Sequence, residues 1–204
     1  MLPRFALALA SVLLFAGCAG NSGVIYYRDY DSTSLGQAAQ HVRGSEVTLV
    51  VLGNPFGGDQ AEFEQFVADT IYGANPGTAA SFDPTPADIA MGHRRIILVF
   101  NGPIASNGWL MCGDLPQAGG GSEGDGHIRA LAAFCGGNDR SLSYLSAGLS
   151  GNQGPDDPRF RNFLRLIILT LLPLRDPDDR PDRDFEPPQP QTVSQPSPPD
   201  AISG

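Results

Sequence analysis

The stretch VTLVVL, Val47 to Leu52, is apolar at every position except Thr48 and rich in valine. That is the length and composition of a strand, and a strand apolar on both faces predicts a central place in a sheet with cover on each side. IILVF, Ile96 to Phe100, repeats the pattern and is stopped by Asn101-Gly102-Pro103. Between the two lies the clearest helix of the chain. Asp59 stands where a cap belongs, and Glu62 follows three positions later. Phe63, Phe66, Val67, Thr70 and Ile71 then share one face while Glu62, Glu64, Gln65 and Asp69 share the other, and Gly73 closes the helix. Residues 47 to 100 therefore read as a strand-helix-strand unit with parallel strands, which places the chain in the α/β class.

The turn before that helix, GNPFGGD, is glycine-rich, as phosphate loops are. It has no lysine and no GxGxxG spacing, and it puts Asp59 and Glu62 where an anion would sit. It reads as a plain turn. Residues 75 to 86, with prolines at 76, 84 and 86, read as loop, and Ala87 to Met91 as a single helical turn.

Upstream, Leu35, Ala38, Ala39 and Val42 fall at helical spacing, with Gly44 as a C-terminal cap. Downstream, Gly102 to Gly126 is irregular and holds the only tryptophan, Trp109. Two alternating runs, Ile128 to Phe134 and Leu142 to Ala147, flank Gly-Gly-Asn-Asp and predict a hairpin. Asp157-Pro158 opens a last helix that carries Phe160, Phe163, Leu164, Ile167, Ile168 and Leu171 inward and stops at Pro173. Its end, LIILTLL, is apolar nearly all round and predicts a deeply buried helix. The expectation is one small domain, residues 24 to 174: a mixed sheet of about four strands flanked by about three helices.

Residues 175 to 204 differ in kind. From Asp176 onwards prolines and acidic residues dominate, and Phe185 is the only aromatic. Such a segment cannot bury enough apolar surface to offset its ordering entropy, so it is expected to stay unfolded and partly extended. A solvated spacer and a ligand for a proline-reading module are the two roles open to it.

Composition closes several routes. The net charge is −9, so there is no basic footprint for a nucleic-acid backbone. All thirteen basic residues are arginine. Without lysine there is no GxxxxGK phosphate loop, no Schiff-base lysine and no Ser-Lys dyad. HExxH and CxxC motifs are also missing from the sequence.

At the N-terminus, Arg4 precedes an apolar run from Phe5 to Ala16. Its twelve or so residues span about 18 Å as a helix, short of the roughly 30 Å of a bilayer core, and the layout is that of a secretory signal. The run ends in Phe15-Ala16-Gly17-Cys18, which resembles the lipobox of bacterial lipoproteins: an aliphatic residue, two small residues, then cysteine. Phe15 stands where leucine is usual. The resemblance implies removal of residues 1 to 17, attachment of diacylglycerol to Cys18 and acylation of its new amine. Residues 18 to 23 then form a lipidated tether. The family's sorting habit makes Ala19, in place of aspartate, a signal for the outer membrane, with the domain facing the periplasm. Two or three acyl chains anchor lastingly where one would not.

With Cys18 assigned to lipid, Cys112 and Cys135 remain, a pair in an oxidising compartment, and a disulfide is expected. The rival is a free thiol nucleophile with His127 as its base. The densest group of chemistry-bearing residues is the glycine-rich loop 112 to 127, where Asp114, Glu123, Asp125 and His127 stand within a short span. Carboxylates with an imidazole ligate metals or share acid–base work. Their spacing matches neither a calcium loop nor a zinc signature, and an exposed loop has the same composition. His41 sits near a helix end, and His93 stands beside Arg94 and Arg95. Asp29 and Asp31, in YYRDYD, read as surface or packing residues.

The leading functional expectation is a non-enzymatic interaction or structural module, held at the envelope membrane by acylated Cys18 and engaging an envelope protein. No cofactor is expected. The alternatives are a metal-dependent or thiol hydrolase acting from loop 112 to 127, and a small-ligand binder using the strand ends after Leu52 and Phe100, the usual crevice of open α/β sheets.

Overall fold

The computed structural model describes residues 23–31, 35–102, 108–113, 126–137 and 139–173. Cys18, the tether before Gly23, the tail from Leu174 onwards, Asp114, Glu123 and Asp125 lie outside them. The described chain is α/β: six strands form one mixed sheet, and five helices pack on it.

In chain order the elements are β1 (Gly23–Tyr30), α1 (Leu35–Val42), β2 (Glu46–Leu52), α2 (Gln60–Ile71), β3 (Ser81–Pro84), α3 (Ala87–Ala90), β4 (Arg95–Phe100), α4 (Gly108–Gly113), β5 (Ile128–Cys135), β6 (Ser141–Leu149) and α5 (Pro158–Leu171). The sheet order is β1-β6-β5-β4-β2-β3. β2 lies parallel to both β4 and β3, while β4, β5, β6 and β1 pair antiparallel in succession. The strand-helix-strand unit and the hairpin are both present, and β4 joins them by pairing with β5.

Two strands and a helix depart from expectation. Residues 81 to 84, read as loop, form β3, a short edge strand ending in Pro84; a proline is tolerated there because the edge has no outer partner to serve. Residues 23 to 30, of which the first was read as tether, form the other edge, β1. A bulge at Tyr26 shifts its register between Ile25 and Tyr27 and breaks the period-two alternation that marks a strand in sequence. Part of the irregular stretch folds as α4. LIILTLL is not buried all round either, since Leu169 stands half exposed on the outer side of α5.

The local devices follow the sequence. Asp59 Oδ1 accepts from the Glu62 N–H at 2.9 Å and caps α2. Asp157 caps α5 ahead of Pro158, taking the Arg159 N–H at 2.9 Å. In the GNPFGG turn Asn54 accepts from the Phe56 N–H at 3.0 Å and donates to the Gly57 carbonyl at 2.7 Å, so the turn is held by its own side chain.

The two faces of the sheet are covered unequally. On one face α1, α2 and α5 pack over Leu49, Val51, Ile96, Leu98, Phe100 and the inward residues of β5 and β6. Phe160 is the hub of that layer, with ring centroids 4.9 Å from Phe56, 6.1 Å from Phe100 and 6.3 Å from Phe63. Opposite, Val50, Ile97, Val99, Leu131 and Ala133 are covered by α3 and α4, of four and six residues, and by Cys112 and Cys135. Among the described residues no helix is long and apolar enough to cross a membrane.

Candidate functional site

The thinly covered face owes its order to a crosslink and one buried charge. Cys112 on α4 and Cys135 at the end of β5 form the expected disulfide, with Cα atoms 5.6 Å apart. Arg95, the first residue of β4, is wholly buried on the same face. Its Nη1 donates to Asp139 Oδ1 at 2.8 Å and to the His93 carbonyl at 3.0 Å, and its Nη2 donates to the Cys112 carbonyl at 2.6 Å. Asp139, in the β5–β6 turn, also accepts the Gly92 N–H at 3.1 Å. One guanidinium thus ties the start of β4, the hairpin turn and the end of α4, and a buried charge needs such a set of acceptors. The Arg95 hydrogen bond, then the Gly92 N–H, hold the Asp139 carboxyl below its ordinary value.

This frame fixes α4 against β6. Gly108 opens α4 where a Cβ would come 2.7 Å from Tyr144 Cβ, so only glycine lets the helix lie this close. The next residue, Trp109, points outward and is 70% exposed. Across from it Tyr27 of β1 is 55% exposed and tilts against Tyr144, ring centroids 6.0 Å apart. Burial first, then the neighbouring Tyr27, hold the Tyr144 phenol above its ordinary value and keep it neutral. Between α4 and β1 no helix among the described residues roofs the sheet. The result is an open cleft of about 700 Å³ at the end of β1 and β6, lined among others by Tyr27, Asp29, Tyr30, Asp31, Trp109 and Arg140.

The polar groups of the cleft are arranged asymmetrically. Arg140 Nη2 donates to Asp31 Oδ2 at 2.8 Å, so those charges largely cancel. Asp29 makes no ion pair among the described residues and stands between the aromatic walls. Tyr30 reaches through to the helical face, its Oη donating to the Thr170 carbonyl at 2.9 Å, and Arg28 lies over its ring at 5.9 Å. Large rings interleaved with polar groups suit the grip of a flat or extended partner.

The other site candidates among the described residues do not converge. Cys112 and Cys135 are bonded to each other, so the thiol route is closed. His127 could not have served Cys135 in any case: it directly precedes β5 while Cys135 ends that strand, a separation of about 26 Å at roughly 3.3 Å per residue. Asp114 and Asp125 fall outside the described residues, and among those described no group of three or more His, Cys, Asp or Glu is placed to hold a metal. His41 and His93 are exposed at a helix end and ahead of β4. The crevice expected after Leu52 exists as a shallow hollow of about 400 Å³, lined by Pro55, Phe56, His127 and Asn152 among others. The Oδ1 of Asn152 is buried beneath it with no hydrogen-bond partner.

Sequence reasoning passed over the residues that build the cleft. Trp109 was noticed only as the single tryptophan of an irregular stretch, and Tyr27 only as part of YYRDYD. Neither has a periodicity to mark it. The available signal was indirect: large aromatics in segments with no apolar partners at strand or helix spacing.

No protein-family model and no curated protein matches the chain. Among solved structures, a chain of the PelC dodecamer from Paraburkholderia phytofirmans is similar at 13% identity and a TM-score of 0.41, over 76% of this chain and 99% of that one. A likeness of that degree bears on neither site nor partner.

Proposed function

We propose that the chain is a lipid-anchored protein of a bacterial cell envelope, held to the outer membrane through Cys18 and facing the periplasm. There it works as a non-enzymatic interaction module. The observation that supports this reading is the cleft between α4 and β1, walled by Tyr27 and Trp109. Only four residues separate Cys18 from Gly23, the first residue of β1. At about 3.5 Å per residue such a tether spans under roughly 20 Å, so the strand that forms one wall of the cleft would work close to the bilayer.

Two measurements test the reading. Metabolic labelling with an alkyne palmitate should tag the wild type, and Cys18→Ser should lose both the tag and the membrane fraction. A Cys18→Ser protein still processed and membrane-bound would refute the anchor. A photocrosslinking residue at Trp109 should give discrete envelope adducts that the same residue at Leu169, exposed on α5, does not. Equal adducts at both positions would remove the cleft as the interaction site.

A further inference from the structure

We propose that the cleft binds the proline-rich tail of its own chain, so that residues near Pro187 to Pro190 lie between Trp109 and Tyr27. The proposal deepens the reading above by naming an occupant for the cleft, and it is independent of the lipid anchor.

The place where the tail leaves the domain carries the argument. The end of α5 is pinned to the cleft wall: the Ser143 hydroxyl donates to the Leu171 carbonyl at 2.7 Å and Tyr30 Oη to the Thr170 carbonyl at 2.9 Å. Tyr30 and Ser143 both line the cleft. The described chain ends at Pro173, two residues beyond α5. From Pro173 to Pro187 the chain can extend up to about 45 Å, far more than the distance it must cover. Tethering at that point supplies an effective concentration in the millimolar range, enough to seat a weak ligand.

The chemistry of the two partners matches. Pro187-Pro188-Gln189-Pro190 favours the polyproline II helix, whose low conformational entropy and solvated carbonyls suit aromatic grooves. Proline rings pack flat against indole and phenol faces. The indole N–H of Trp109 and the hydroxyl of Tyr27 are donors for the peptide carbonyls.

Trp109 is the only tryptophan, so its fluorescence reports the cleft alone. The test compares the full chain carrying Cys18→Ser with the same chain further changed by Pro187→Gly, Pro188→Gly and Pro190→Gly, both purified without membrane. In the variant, acrylamide quenching of Trp109 should rise about twofold or more and emission should shift to the red, as expected when a stacked ligand leaves an aromatic face. The difference should be unchanged on dilution from about 100 to about 1 μM, because a tethered segment does not dilute. Equal quenching in the two chains would overturn the proposal. A difference that vanishes on dilution would overturn it too, by assigning the cleft to the tail of a second copy.

Discussion

The sheet has one face that is roofed and one that is stitched. Over the roofed face, α1, α2 and α5 bring a continuous apolar layer centred on Phe160. Over the stitched face two short helices suffice because Cys112–Cys135 and the Arg95–Asp139 set hold them in place. Burial of apolar area stabilises in proportion to the area covered, whereas a crosslink acts through a few atoms and leaves the surface around them open. The difference explains why the cleft lies where it does. A third long helix on the stitched side would have covered Tyr27 and Trp109.

The comparison breaks most decisively at Phe160. Phe160→Ala removes the ring that contacts Phe56, Phe63, Phe66, Phe100 and Phe163, and should cost about 3–5 kcal/mol in urea unfolding followed by circular dichroism. A loss below about 1 kcal/mol would show that the helical layer is not the main source of stability. The crosslink comes next. Cys112→Ser with Cys135→Ser should cost on the order of 2–4 kcal/mol, and intact mass should show the wild-type domain two hydrogens lighter than its reduced form. Two thiols titratable after unfolding would contradict the bridge.

Acid should act more weakly, through pairs near the surface that solvent and salt screen. Arg159, first by its side chain and then by its N–H, holds the Asp157 carboxyl down from 3.8 to about 2. A carboxyl depressed by folding stabilises the native state above its unfolded value and loses that contribution as pH falls through the folded one. The urea midpoint should therefore drop between about pH 4 and pH 2, and Asp157→Asn should flatten the drop. Asp139 shifts in the same direction and adds to the slope. The smallest effect belongs to Trp109. With the indole mostly in water, Trp109→Ala should change stability by no more than about 0.5 kcal/mol, so any larger change in cleft crosslinking reports binding alone.

Much of the roofed face was legible in sequence, since α2, α5, β2 and β4 obey the periods that burial imposes on long elements. The hairpin and the disulfide partners could be read as well. The stitched face could not, for physical reasons that differ by residue. β1 places Tyr26, Tyr27, Arg28 and Asp29 in succession at an exposed edge, and its bulge removes the alternation. Tyr26 also lies over Gly148, so a residue without a side chain is its packing partner, and pattern-reading finds no mate for it. β3 is four residues long and ends in proline. Arg95 stands beside Arg94 ahead of an apolar run; its acceptors come from Asp139 and Cys112, far along the chain, and nothing local announces them. The cleft inherits that difficulty, because each of its walls comes from one of these unreadable segments.

The pairing of β1 with β6 sets an order of events in folding. Gly23 lies opposite Leu149 and Tyr30 opposite Ser143, so the first strand of the domain has its ladder partner near the far end of the fold. Strand pairs of such high sequence separation close slowly, since the intervening chain loses its freedom before any contact repays it. Until β6 is in place beside β5, β1 has no ladder partner, and α5 then locks it through Tyr30. Ile25 and Tyr30, which pack against the helical layer in the finished fold, are thus uncovered until that last step.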